Sequence, residues 1–268
     1  MVRGLGSLSR YVLLSPIFLG ITLLTNIQAA ATFTLNSPAS LLILHDVATT
    51  NPPPDTTPLS PLAAAELIRE IGLKCISFNG IPRTINCLGA FKAGLSPSIT
   101  SQLSTTPTRT VTPSNAVAVA ARGRNLWHSV YTPFDAKLET KLADSHPDLP
   151  VHILSSHYGP LLSDPEPGRA LGRVGRALTS VVAIACLRAQ TGVGPQVLSH
   201  VFGLRKAVEQ GVHGLGEEFG EEGMEGIEKL AEDEGCEWLL RCVDEIAGAI
   251  GEEGGFARWE GQKRESKL

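Results

Sequence analysis

The stretch Leu187-Arg188-Ala189-Gln190-Thr191-Gly192-Val193-Gly194-Pro195-Gln196-Val197-Leu198-Ser199-His200-Val201-Phe202-Gly203-Leu204 constrains the fold most. It ends one apolar helix and opens another within a few residues. The glycines supply the turn, and Pro195 stands near the first position of the new helix, where a missing N–H is no loss. Gln196 and His200 are four residues apart, so they share one side of that helix near its start. A helix start carries free N–H groups and a partial positive charge, which favour an anion or polar ligand beside these side chains. The same field predicts a His200 that is neutral at pH 7 and suited to proton transfer.

Helical spacing recurs along the chain and no strand pattern of convincing length appears, so the expected class is all-α. Helices are expected over about 60–250. The first firm one opens after Ser60 as a cap, with Leu62, Ala65, Ile68, Ile71 and Cys75 inward. Asn79-Gly80 breaks it, and Pro82 reopens a helix with Ile85, Leu88 and Leu95 inward. Before it, only a short helix near Ser40–Val47 is expected, followed by a Pro- and Thr-rich loop. Ser, Thr and Pro crowd 96–113, which reads as a flexible excursion. Helix resumes over 115–144 as two pieces parted at Pro133, burying Trp127, Val130, Tyr131, Phe134, Leu138 and Leu142. A short helix over 151–162 ends at a Tyr158-Gly159-Pro160 corner. Leu171, Val174, Leu178, Val181, Ala185 and Leu187 mark the longest core helix. The Gly/Glu-rich 211–235 reads as a solvated insertion, and Trp238, Leu239, Cys242, Val243, Ile246 and Ile250 form a last amphipathic helix. Gly80-x-Pro82…Asn86 and Gly194-Pro195…His200 echo one another, as a duplicated hairpin would.

Three pieces in order carry a resemblance. They are Phe78-Asn79-Gly80-Ile81-Pro82-Arg83-Thr84-Ile85-Asn86-Cys87-Leu88, then Ser145-His146-Pro147-Asp148-Leu149 with Tyr158-Gly159-Pro160-Leu161-Leu162-Ser163, then Gln196, Ser199-His200 and Gly203 after 178–187. Over about residues 60–210 the chain resembles the carboxymuconolactone decarboxylase superfamily, which includes the AhpD-like alkylhydroperoxidases. The resemblance implies an AhpD-like bundle of paired helical hairpins with a small pocket at helix starts. It implies His200 as acid/base with Gln196 beside it, and Ser199, Arg83, Asn86 and Tyr158 against a small acid or hydroperoxide. The reaction would be of lyase or oxidoreductase (peroxidase) type with no dissociable cofactor, in a homo-oligomer joined through apolar helix faces. Two departures stand out. Where the peroxidase branch has Cys-x-x-Cys-x-x-x-His, this chain has Val193 and Gln196. Where the decarboxylase branch has Arg-Glu, this chain has Arg176-Ala177. A catalytically inactive scaffold, serving as a binding or assembly protein, is the alternative expectation.

Composition narrows the classes further. The chain has 268 residues, of which 43% are hydrophobic and 5% aromatic, and its net charge is −4. Sparse aromatics suit closely packed helices, and the charge gives no sign of nucleic-acid binding. Five cysteines, an odd number, argue against a disulfide framework. Cys75, Cys87 and Cys186 fall in apolar helical patterns and are expected to be buried thiols. His-x-x-x-His, Cys-x-x-Cys and carboxylate–His clusters are missing, so no metal site is expected, and there is no nucleophile elbow, phosphate loop or dinucleotide fingerprint.

Two addresses disagree. The chain closes on Ser266-Lys267-Leu268, the tripeptide that a peroxisomal import receptor reads. At the other end, Arg3 and Arg10 precede an apolar run over 11–24 and the small residues Ala29-Ala30-Ala31, the layout of a leader over 1–31 for the secretory pathway or, lacking acids before Asp46, the mitochondrion. The peroxisome is the favoured expectation.

Overall fold

A computed structural model describes residues 20–53, 56–165, 171–212 and 220–252. Among these residues there is no strand. The elements are α1 (Ile21–Thr34), α2 (Pro38–Thr50), α3 (Pro61–Lys74), α4 (Ile76–Asn79), α5 (Ile81–Gly94), α6 (Pro97–Thr100), α7 (Ala116–Tyr131), α8 (Asp135–Ser145), α9 (Asp148–His152), a π-helical segment (Ile153–Leu162), α10 (Arg176–Gln190), α11 (Gly194–Glu209), α12 (Gly220–Ala231) and α13 (Asp233–Glu252).

The centre of the molecule is α1. It carries no charged residue, and every residue of it except Thr22 is buried. A helix with no charged face and apolar residues all round belongs inside, and α1 packs against α2, α3, α10 and α13. Helical structure therefore does not wait until residue 60. Residues 21–31, which the sequence assigns to a leader-like segment, are the middle of the core, and α2 is a full helix. Residues 1–19 of that segment lie outside the described residues. So do Ser266-Lys267-Leu268 and part of the Gly/Glu-rich stretch. The rest of that stretch is not a solvated excursion: Ile227 and Leu230 of α12 are fully buried, because α12 lies against α11 and α13.

In α3 both faces are covered. Ser60 caps it, its hydroxyl accepting the Ala63 N–H at 3.2 Å. Ala65, Ile68, Ile71 and Cys75 line the core as the spacing predicts. Glu66, Glu70 and Lys74 are buried as well. Each has a partner from elsewhere, as buried charges require. Glu66 takes two bonds from Arg69 and the Ser104 N–H. Glu70 takes a two-pronged pair from Arg109. Lys74 donates to Asp164, Thr179 and the Val174 carbonyl. The 96–113 segment is thereby tied down as a strap, with α6 at its start and Leu103 buried beneath it.

Other expectations are corrected by packing. On α5 the buried residues are Thr84, Cys87 and Phe91, while Ile85 faces solvent at 64% exposure. Phe134 is exposed. Gly159-Pro160 does not end a helix, because the wide π-helical turn carries the chain through Pro160 to Leu162. Leu171 lies outside α10 and is exposed.

Candidate functional site

The hairpin that the sequence marks most clearly is present. α10 ends at Gln190, Gly192 turns the chain with φ +74°, and α11 begins at Gly194. His200 projects from the second turn of α11 into the protein, with 6% of its surface exposed. Three elements converge on it. Tyr131 ends α7, Tyr158 comes from the π-helical segment, and Phe78 comes from α4. Two glycines let α7 and the π-helical segment meet: a Cβ on Gly123 would stand 2.6 Å from the Gly159 backbone. That approach sets Trp127 edge-on to Tyr158 at 5.1 Å, while one turn along α7 Tyr131 lies tilted against Trp127 at 4.2 Å. The Phe78 ring stands at 90° to His200, 5.8 Å away.

A polar chain runs through this aromatic cluster. The Tyr158 hydroxyl donates to the Tyr131 oxygen at 2.9 Å. The Tyr131 hydroxyl, its own proton free, meets His200 Nε2 at 3.5 Å. With Nε2 as acceptor, the imidazole proton sits on Nδ1, and Nδ1 is buried without a partner among the described residues. Trp127 Nε1 is in the same condition. Two such orphans in one cluster are unusual, since buried polar groups are nearly always bonded.

The nearby charge is Arg176, the first residue of α10. It donates to the Ser129 hydroxyl and carbonyl, the Ser180 hydroxyl and the Gly203 carbonyl, at 2.7–3.0 Å. No carboxylate is among these partners. Burial lowers its pKa to about 10, against the opposing pull of Tyr158 and Tyr131. Burial also pushes His200 down to about 4, with repulsion from Arg176 adding to it. The neutral imidazole expected from the helix start is thus reached by desolvation and a neighbouring cation. Both tyrosines are held above their ordinary range by burial.

Tyr131 also lines a groove of about 440 Å³ between α8 and α11. Its floor is apolar, with Val130, Phe134, Leu138 and Phe202, and Lys137, Lys141 and Lys206 stand around it. Lys137 and Lys141 form no ion pair among the described residues. Lys206 donates to the Val130 carbonyl at 3.2 Å, and burial followed by Arg176 repulsion lowers its pKa. A second hollow of about 340 Å³ has its charges, Arg124 and Glu139, paired with each other.

The sequence-predicted residues divide. His200 and Tyr158 are joined through Tyr131. Ser199 bonds back to the Pro195 carbonyl and touches the groove. Gln196 does not join His200. It is exposed one turn earlier, because the side of α11 that turns inward runs through Val197, His200 and Val201. Arg83 and Asn86 lie apart, at the end of α1: Arg83 holds the Thr34 carbonyl at 2.6 Å and Asn86 reaches Asn36. Asn86 is exposed where His200 is buried, so the two hairpins do not place them alike. Sequence reasoning missed Tyr131 and Arg176 as site residues. Tyr131 was legible only as an inward aromatic, and Arg176 only as the arginine standing where the decarboxylase branch has Arg-Glu.

Among the described residues no three or more His, Cys, Asp or Glu gather as a metal would need, and no helix is long and apolar enough to cross a membrane. No family model matches the chain, and neither does any curated protein or solved structure.

Proposed function

We propose that the groove and the Tyr158–Tyr131–His200 chain form one active site, in a protein of the carboxymuconolactone decarboxylase type. Its substrate is a small acid with an apolar body, and the reaction is of lyase type: the C–C bond to the carboxylate breaks, carbon dioxide leaves, and His200 working through Tyr131 moves the accompanying protons. One observation carries this reading: Tyr131 belongs both to the groove wall and to the hydrogen-bond chain. The lysines would attract a carboxylate and the apolar floor would hold the body. A proton leaving the substrate would pass to the Tyr131 oxygen as that hydroxyl's proton passes to Nε2. An unliganded His200 holds protons weakly. A bound anion offsets the repulsion from Arg176 and raises that affinity, so substrate binding and proton acceptance are coupled.

Turnover of small apolar carboxylates, followed by product formation, is the test. Tyr131→Phe and His200→Gln are expected to lose it by roughly 100-fold or more while melting cooperatively. Unchanged turnover in both variants overturns the reading.

A second reading, a non-catalytic assembly protein, is favoured by the exposure of Phe134 (65%), Leu198 (54%) and Phe202 (49%) along the same face. A homo-oligomer disrupted by Phe202→Glu, with no turnover of any acid, would support it. The closing Ser266-Lys267-Leu268 supports a peroxisomal location. A fluorescent fusion should shift to the cytosol when the tripeptide is removed, and an unmoved fusion refutes that address.

A further inference from the structure

We propose that Cys75 and Cys186 are an oxidisable pair: a disulfide site that the fold assembles from thiols 111 residues apart. Their sulfurs lie 3.5 Å from each other. A disulfide bond is about 2.05 Å long, so the two sulfurs must approach by about 1.5 Å. Cys186 is held in the middle of α10. Cys75 joins α3 to the one-turn α4 with helical backbone angles, φ −58° and ψ −21°, its N–H bonded to the Ile71 carbonyl, and Gly80 turns the chain at φ +79° after α4. Rotation of its side chain and a small shift of this one-turn segment can supply the approach. The Asn79 amide donates toward Cys186 Sγ at 3.6 Å, a donor for charge that develops on that sulfur.

The oxidant is a hydroperoxide as small as hydrogen peroxide. One thiol gives up its proton and its sulfur attacks a peroxide oxygen. The O–O bond breaks, the alcohol (or water) leaves, and a sulfenic acid remains. The second sulfur then attacks that sulfenic sulfur, the S–O bond breaks, the S–S bond forms and water leaves. The two thiols lose two electrons and two protons, and the peroxide takes up both. Burial of both sulfurs, which also pushes the Cys75 thiol well up, makes the first step slow. The same burial shields the finished bond from dissolved reductants. Proximity of the second thiol diverts the sulfenic acid from further oxidation. Phe78, whose ring stands against His200, and Asn79, which donates toward Cys186, are neighbours on α4, but the proposal stands on the thiol geometry alone and does not need the catalytic reading.

The test uses the full chain, exposed to hydrogen peroxide, then unfolded and alkylated. The chain has five free cysteines among the described residues, and the oxidised protein should take up two fewer alkyl groups. Its intact mass should fall by about 2 Da. Peptide mapping without reductant should show Cys75 linked to Cys186. Cys87→Ser should behave as the parent chain does, and Cys75→Ser and Cys186→Ser should each abolish the link. The map on the parent chain decides the matter even if a serine variant fails to fold. A link between other cysteines, a mass gain of about 32 Da on either cysteine from a sulfinic acid, or full alkylation after exposure overturns the proposal.

Discussion

Acidification should destabilise this protein through His200, and the effect can be worked out from its surroundings. Burial, then Arg176, lowers the ring's pKa from 6.5 to about 4. In the unfolded chain the ordinary value returns. Between these two values the unfolded state binds a proton that the folded state refuses, so stability falls as the pH falls. The contribution is fully present above about pH 6.5 and is lost as the pH drops through the folded value. At about 1.4 kcal/mol per tenfold change in proton affinity, the whole loss is about 3 kcal/mol. At about pH 5 it has reached about 2 kcal/mol. His157 is lowered in the same direction by burial and by His152, so a raw pH curve mixes the two rings. Subtracting the curve of His200→Gln isolates His200. Urea unfolding followed by circular dichroism, at about pH 7 and pH 5, measures both. The stability difference between parent and variant should narrow by about 2 kcal/mol over that interval. A difference that stays constant refutes the buried neutral imidazole.

Deleting residues 1–31 should abolish folding. The deletion removes Ile21, Leu23, Leu24 and Ile27 from the core, about 6–12 kcal/mol of burial, against about 5–15 kcal/mol of total stability for a typical domain. A cooperative melt near the parent's temperature would contradict this. Arg176→Met should lower stability by about 2–4 kcal/mol, because it orphans the Ser129 carbonyl near the end of α7, which Pro133 has no N–H to satisfy, and strips the Ser129 and Ser180 hydroxyls and the Gly203 carbonyl of a charged donor. In any folded fraction the His200 pKa, read by NMR titration, should rise as its cationic neighbour is removed; a fixed value would count against that coupling. Asn26→Leu should stabilise the chain by about 1–3 kcal/mol, because both polar atoms of Asn26 are buried without a partner. A lowered melting temperature would show that the amide is satisfied after all.

The features legible in the sequence are those decided within a few residues. Helical spacing gives the all-α class, Ser60 starts α3, and Gly192 with Pro195 marks the α10–α11 hairpin. That hairpin brings out His200. Tyr158 also belongs to the cluster that the structure builds. Tertiary structure decided which faces are covered. α1 has apolar residues on every side, so it shows no clear periodicity, and next to Arg3 and Arg10 it has the same composition as a targeting segment. Glu66, Glu70 and Lys74 read as a solvated face until Arg109 and Asp164 arrive from distant segments. Gln196 and His200 are equivalent by spacing, and only the packing of α11 turns one out and the other in. Arg176, Tyr131 and the Cys75–Cys186 approach are set by contacts between elements far apart in the chain. Turns and periods are short-range properties of the backbone. Burial is a property of whatever arrives from a hundred residues away, and no local pattern encodes it.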